Sequence, residues 1–196
     1  MSKIFESIND PKVVQYLMNG KVGIIPTDTL YGVVCRASDP NSCEKLYKLK
    51  SRDKKPGTII ASSIDQLISL GLKARYLKVV EHFWPGPVSV EIPNSIVQLT
   101  QGTGKAAFRV INDQYISILL SNTGPLLTSS ANIPGEPPAN NLKEAMDYFG
   151  DKVDFYVDGG DLSYREPSTV VRIVDDVVEV IRQGAVKIDE SGRIIE

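Results

Sequence analysis

The chain has 196 residues, 42% hydrophobic and 23% charged, with a net charge of −2; this balance excludes disordered, collagen-like and fibrous proteins and suits one globular domain spanning 1–196. A single histidine, His82, excludes a zinc site built from several histidines, and two cysteines, Cys35 and Cys43, are too few for a disulfide scaffold, which favours a reducing, cytoplasmic setting. The opening MSKIFESINDPKVV lacks an uninterrupted apolar stretch, so neither a signal peptide nor a membrane span is expected.

The first expected element is a helix. Asp10 caps it, Pro11 suits its first turn, Val13, Val14, Leu17 and Met18 give it an apolar face, and Gly20 ends it. A short buried strand at 22–25 stops at Pro26, and PTDTLYG (26–32) follows as a polar turn. Its threonines either bind a polar ligand or hold the turn together, and Asp28 serves either a metal or no ligand at all. A second helix begins after Asp39 and Pro40. GTIIA (57–61) reads as a strand, Ser62 with Asp65 as a capping box for a short helix, and ARYLKVVEHFW as a helix ended by Pro85-Gly86-Pro87. Strands are expected at 88–92, 106–111, 125–129 and 153–157, with helices near 113–120 and 141–149. TVVRIV and VVEVIR flank Asp175-Asp176 as a hairpin. This alternation predicts an α/β layer fold, with the irregular stretches 132–140 and 158–168 as candidate ligand loops.

Positive charge is concentrated in one place. Residues 45–55 carry Lys45, Lys48, Lys50, Arg52, Lys54 and Lys55 against Asp53 alone, which fits either an anionic ligand or a solvated helix end. On a helix over 40–50, Cys43, Leu46, Tyr47 and Lys50 fall on one inward face while Lys45 and Lys48 point outward, so Lys50 is aimed at an interior cleft. Arg109 shares a strand face with Ala107 and Ile111; such an arginine either pairs with a carboxylate or receives an anionic ligand. In the hairpin, pairing Val174 with Val177 sets Arg172 opposite Glu179 as an ion pair and Thr169 opposite Arg182, which leaves Arg182, Ser168 and Thr169 as a phosphate or carboxylate contact. Ser129, Ser130 and Asn132, where a strand opens into a Pro/Gly loop, serve either a ligand or the turn. Gly104-Lys105 lacks the rest of a phosphate-binding loop, since Leu99 holds the first glycine position and Ala106 follows the lysine, and no G-x-G-x-x-G follows a strand.

PTDTLYG, LYKLKSR, HFWPGPVSV, AAFRV, TSSANIPGEPP, PSTVV and IRQGA occur in an order and spacing that resemble the YrdC family of threonylcarbamoyl-AMP synthases, over roughly residues 10–186. The length is similar to that of the single-domain TsaC form, and the YciO branch shares much of the pattern. The resemblance implies a twisted mixed sheet with flanking helices and a positively charged central cavity, in which L-threonine, bicarbonate and ATP, accompanied by Mg²⁺ but with no tightly held metal, become threonylcarbamoyl-AMP and pyrophosphate. The product feeds the t6A modification of tRNA through downstream transfer proteins. Carried over residue by residue, Lys50 and Arg52 are catalytic; Lys50, Arg52, Ser130, Asn132 and Arg182 contact the nucleotide. Threonine falls to Thr27, Thr29, Arg109 and Ser168. The alternative is a non-catalytic RNA-binding module of the YrdC/YciO type, whose 45–55 patch grips tRNA, rRNA or double-stranded RNA weakly and without a membrane partner.

Overall fold

The computed structural model describes residues 1–51, 54–175 and 177–195. Short polar caps fix where the helices start. The Asp10 carboxylate accepts the Lys12 amide ahead of α1 (Pro11–Met18), and the Asp39 carboxylate accepts the amides of Asn41 and Ser42 ahead of α2 (Pro40–Leu49). Helix α3 (Ile64–Leu70) is capped by Ser63, which accepts the Gln66 amide, rather than by Ser62, whose own amide is taken up by the Gln66 side chain. Helix α4 (Ala74–Val80) gives way to a 3-10 turn over Glu81–Phe83, so the helical run ends sooner than expected. Then come α5 (Val97–Thr100), α6 (Gln114–Thr123) and α7 (Leu142–Phe149).

Among the described residues, ten strands join one mixed sheet. In chain order they are β1 (Lys3–Phe5), β2 (Gly23–Pro26), β3 (Tyr31–Arg36), β4 (Thr58–Ala61), β5 (Val88–Pro93), β6 (Lys105–Val110), β7 (Leu126–Ser130), β8 (Phe155–Val157), β9 (Thr169–Val174) and β10 (Val177–Arg182). Across the sheet the order is β1-β8-β2-β3-β7-β4-β6-β5-β9-β10, with β4-β6 and β5-β9 parallel and β3-β7 and β5-β6 antiparallel. A separate pair, β11 (Lys187–Ile188) and β12 (Ile194–Ile195), closes the described chain. Strands β1 and β3 are absent from the sequence reading. β3 is buried at five consecutive positions, so it shows no alternation to read.

Adjacent strand residues point to opposite faces, and the core divides accordingly. Ile24, Val33 and Ile59 face the side covered by α2, α3, α4 and α7, through Leu46, Leu67, Leu77 and Phe149. Their neighbours Ile25, Val34 and Ile60 face α1 and α6, through Val13, Leu17, Ile116 and Leu120. On this second face the apolar surface stops part-way. Gly32, Thr58, Ala107, Arg109, Thr128 and Ser130 have the same strand parity as Val34, Ile60, Ile111 and Leu126, yet they are small or polar and line a cavity. The switch from apolar to polar along one face places the site.

Candidate functional site

The cavity measures about 310 Å³ and is lined by Thr27, Thr29, Arg109, Ser130, Ser168 and Arg182 together with Tyr31, Thr58, Glu91, Thr128 and Ser129. Two glycines let its walls come close: a Cβ on Gly32 would lie 2.5 Å from Thr128 Oγ1, and one on Gly57 would lie 2.6 Å from the Thr128 carbonyl. At its base the Arg109 guanidinium, only 4% exposed, donates to Asp28 Oδ1 at 2.8 Å and to Ser89 Oγ at 3.1 Å. Arg109 thus has the carboxylate partner of its first sequence reading and also lines the cavity that its second, an anionic ligand, requires. Burial nevertheless holds the Asp28 carboxyl above its ordinary value, because desolvation outweighs the attraction of Arg109.

The threonines of 26–32 build the turn above this pair. Thr27 Oγ1 donates to the Leu30 carbonyl at 2.6 Å and accepts the Thr29 amide at 3.2 Å. Arg165, from the 158–168 loop, donates to the Thr27 carbonyl at 2.9 Å, and the Tyr31 hydroxyl accepts the Gly159 amide at 2.7 Å. These two contacts tie the second candidate ligand loop to the cavity wall. They span 138 and 128 residues, and no local sequence pattern points to them.

The hairpin differs from the expected register in one respect. Val174 pairs with Val177 and Arg172 with Glu179, as expected, but a bulge between Val180 and Arg182 sets Arg182 opposite Val170 instead of Thr169. In a regular ladder Ile181 would lie opposite Val170 and occupy the cavity face. The bulge instead turns Arg182 onto it, where the guanidinium donates to the Ser168 carbonyl at 2.7 Å and to Ser168 Oγ at 3.3 Å. Thr169 is not part of the contact set: it is fully buried, donates to the Val186 carbonyl and accepts the Gly184 amide at 2.9 Å.

Lys50 ends α2 with its side chain inward and 3% of the residue exposed, while Lys45 and Lys48 are exposed and Lys48 pairs with Glu44 at 2.6 Å. Its ammonium donates to the Ser130 carbonyl at 2.8 Å, to Asn132 Oδ1 at 2.7 Å and to the Asn132 carbonyl. Ser130 Oγ donates to the same Asn132 oxygen at 2.8 Å, and Asn132 Nδ2 donates to the Glu136 carbonyl at 2.6 Å. Lys50 and the S-x-N segment therefore form one network. It lines a second cavity of about 460 Å³ with Ser51, Lys55, Pro134 and Gly135, and Ser129 and Ser130 border both cavities. Arg52 lies outside the described residues. The expected nucleotide set is thus divided: Lys50, Ser130 and Asn132 line the second cavity, whereas Arg182 sits in the first beside Ser168 and Arg109. Among the described residues no three His, Cys, Asp or Glu side chains converge as a metal site, and no helix is long and apolar enough to cross a membrane.

A family model for Sua5, YciO and YrdC, described as telomere recombination, matches residues 15–184. The chain belongs to the Sua5/YciO/YrdC family. Among its Sua5/YciO/YrdC relatives, a protein of Methanocaldococcus jannaschii named putative threonylcarbamoyl-AMP synthase is 31% identical over 196 residues, covering 93% of this chain and 90% of that one. Two solved structures of the family share the fold. E. coli YciO superposes with a TM-score of 0.82 at 22% identity, over 97% of this chain and all of that one. P. abyssi Sua5 complexed with L-threonine gives 0.81 at 24% identity, over 95% of this chain and 58% of the longer archaeal chain.

Proposed function

We propose that this chain is a threonylcarbamoyl-AMP synthase, acting in the cytoplasm on L-threonine, bicarbonate and ATP. The observation that carries the reading is the shared wall of Ser129 and Ser130, which sets a cavity holding Arg109, Ser168 and Arg182 directly against one holding Lys50 and Asn132. Two ligands bound side by side is the geometry that joining an amino acid to a nucleotide requires. The names of relatives such as the M. jannaschii protein support the product, and the threonine-bound Sua5 structure supports threonine as a substrate.

In this reading the threonine carboxylate goes to Arg109 and Ser168, its hydroxyl and amine to the Thr27–Thr29 turn, and the nucleotide to Lys50, Arg52, Ser130 and Asn132, with Arg182 between them. The threonine amine and bicarbonate give a carbamate and water; a carbamate oxygen then attacks the α-phosphorus of ATP and pyrophosphate leaves. Charge develops on phosphate oxygens, so positioned cations do most of the catalysis. Mg²⁺ would enter with the triphosphate as part of the substrate and offset part of its charge. The product passes to the proteins that transfer it to tRNA.

The RNA-binding alternative is not favoured. A phosphate-backbone grip uses exposed lysines such as Lys45 and Lys48 and has no need of a buried lysine locked onto a strand end. Pyrophosphate release from ATP, with threonine and bicarbonate omitted in turn, tests the proposal. Release is expected only with both present; full-rate ATP cleavage lacking either overturns it.

A further inference from the structure

The Arg109–Asp28 pair is buried on both sides, at 4% and 6% side-chain exposure, yet it is incomplete. Asp28 engages through Oδ1 alone; Asp28 Oδ2 and Arg109 Nε are both buried and have no hydrogen-bond partner among the described residues. An arginine and a carboxylate this close ordinarily meet through two parallel bonds, and an unpaired oxygen or N–H in the interior is costly. Both orphaned atoms therefore belong to one half-made ion pair at the base of a cavity. The guanidinium is also enclosed, by Asp28, by Ser89 from β5 and by Thr29 Oγ1 at 3.5 Å. A ligand carboxylate can make a full contact with it only by taking the place of something already there.

We propose that Asp28 is an internal counter-ion which an incoming substrate carboxylate replaces on Arg109, the released Asp28 side chain taking one proton from solvent. The inference rests on the assignment of Arg109 to the amino-acid carboxylate and adds a role for Asp28, a positioning residue that acts through Arg109.

The charges facing Asp28 favour this exchange. Arg109 from β6 stabilises the carboxylate, while Asp113, the cap of α6, opposes it. The other charged groups nearby are Arg165, bound to the carbonyl of the preceding Thr27, and Glu91 and Arg182, which line the cavity. Even with Arg109 engaged, burial holds the carboxyl above its ordinary value. Losing that cation to a ligand raises it further, so the released side chain is protonated. Two carboxylates then never compete as charges for one guanidinium in a low-dielectric base, and the buried site stays neutral before and after binding.

Isothermal titration of L-threonine into the full-length protein between pH 5 and 7, in buffers of different ionisation enthalpy, reads the exchange directly. Proton uptake approaching one per threonine is expected, with affinity falling up to about tenfold per pH unit where the uptake occurs. Asp28→Asn has no proton to take up and no charge to displace, so it is expected to bind threonine at least about threefold tighter at pH 7 with a flat pH profile. Threonine binding by the unaltered protein without proton uptake overturns the exchange while leaving the assignment of threonine standing, and this holds whether or not the variant folds. Asp28→Asn binding more weakly with uptake unchanged also overturns it, by making Asp28 purely structural. No threonine binding by either protein removes the assignment itself and the exchange with it.

Discussion

Lys50 and Asn132, 82 residues apart, meet through a hydrogen bond of 2.7 Å from the lysine ammonium to the asparagine side-chain oxygen. The contact joins the end of α2 to the end of β7 and holds the turn that follows β7. Lys50 thus fixes the wall of the second cavity besides supplying a cation to it.

Lys50→Met keeps much of the apolar stem but strands the Ser130 and Asn132 carbonyls, an expected cost of about 1–3 kcal/mol in stability together with a loss of synthesis of 100-fold or more. Urea unfolding and threonylcarbamoyl-AMP formation on one preparation check it. A rate loss without any loss of stability would mean that the lysine does not hold the turn.

Arg109→Met leaves the Asp28 carboxylate buried without its cation, so a destabilisation of about 3–5 kcal/mol is expected. Adding Asp28→Asn should recover most of it, giving a large coupling in a double-mutant cycle. Asp28 also sets a pH dependence. Its folded-state value is raised above 3.8, so its contribution to stability is complete below that value and is lost as pH rises through the folded one. The stability of Asp28→Asn relative to the unaltered chain should therefore increase across that window, as measured by urea unfolding at successive pH values.

Arg182→Gln removes an exposed guanidinium that donates to the carbonyl and hydroxyl of Ser168. Melting within a few degrees of normal is expected, with activity reduced about 30-fold to 1,000-fold. A deletion of Ile181 should be far milder, because it removes the extra residue of the bulge yet leaves the arginine opposite Val170 on the cavity face.

The exposed lysines should behave oppositely. Lys45→Ala/Lys48→Ala is expected to leave the rate of threonylcarbamoyl-AMP formation within about twofold, since surface pairs such as Lys48–Glu44 contribute little, while weak RNA binding falls and shows less salt dependence. Loss of synthesis with unchanged RNA binding would reverse the assignment of the two faces of α2.

The sequence by itself determined the starts of α1 and α2, the hairpin turn and the inward aim of Lys50, because caps, turn residues and helical periodicity act within a few residues. Motif order was enough to indicate the family, which the match over 15–184 establishes. The carboxylate that meets Arg109 comes from Asp28, 81 residues away, and what the sequence placed one position off at Arg182 was decided by a single bulge. The division of the expected nucleotide residues between two cavities and the tie of Arg165 to Thr27 were likewise settled only by the sheet order, which brings β7 between β3 and β4 and β5 between β6 and β9. Local chemistry is written in adjacent residues. Which buried cation meets which carboxylate depends on strand register between distant segments, and register is set by the packing of the whole sheet.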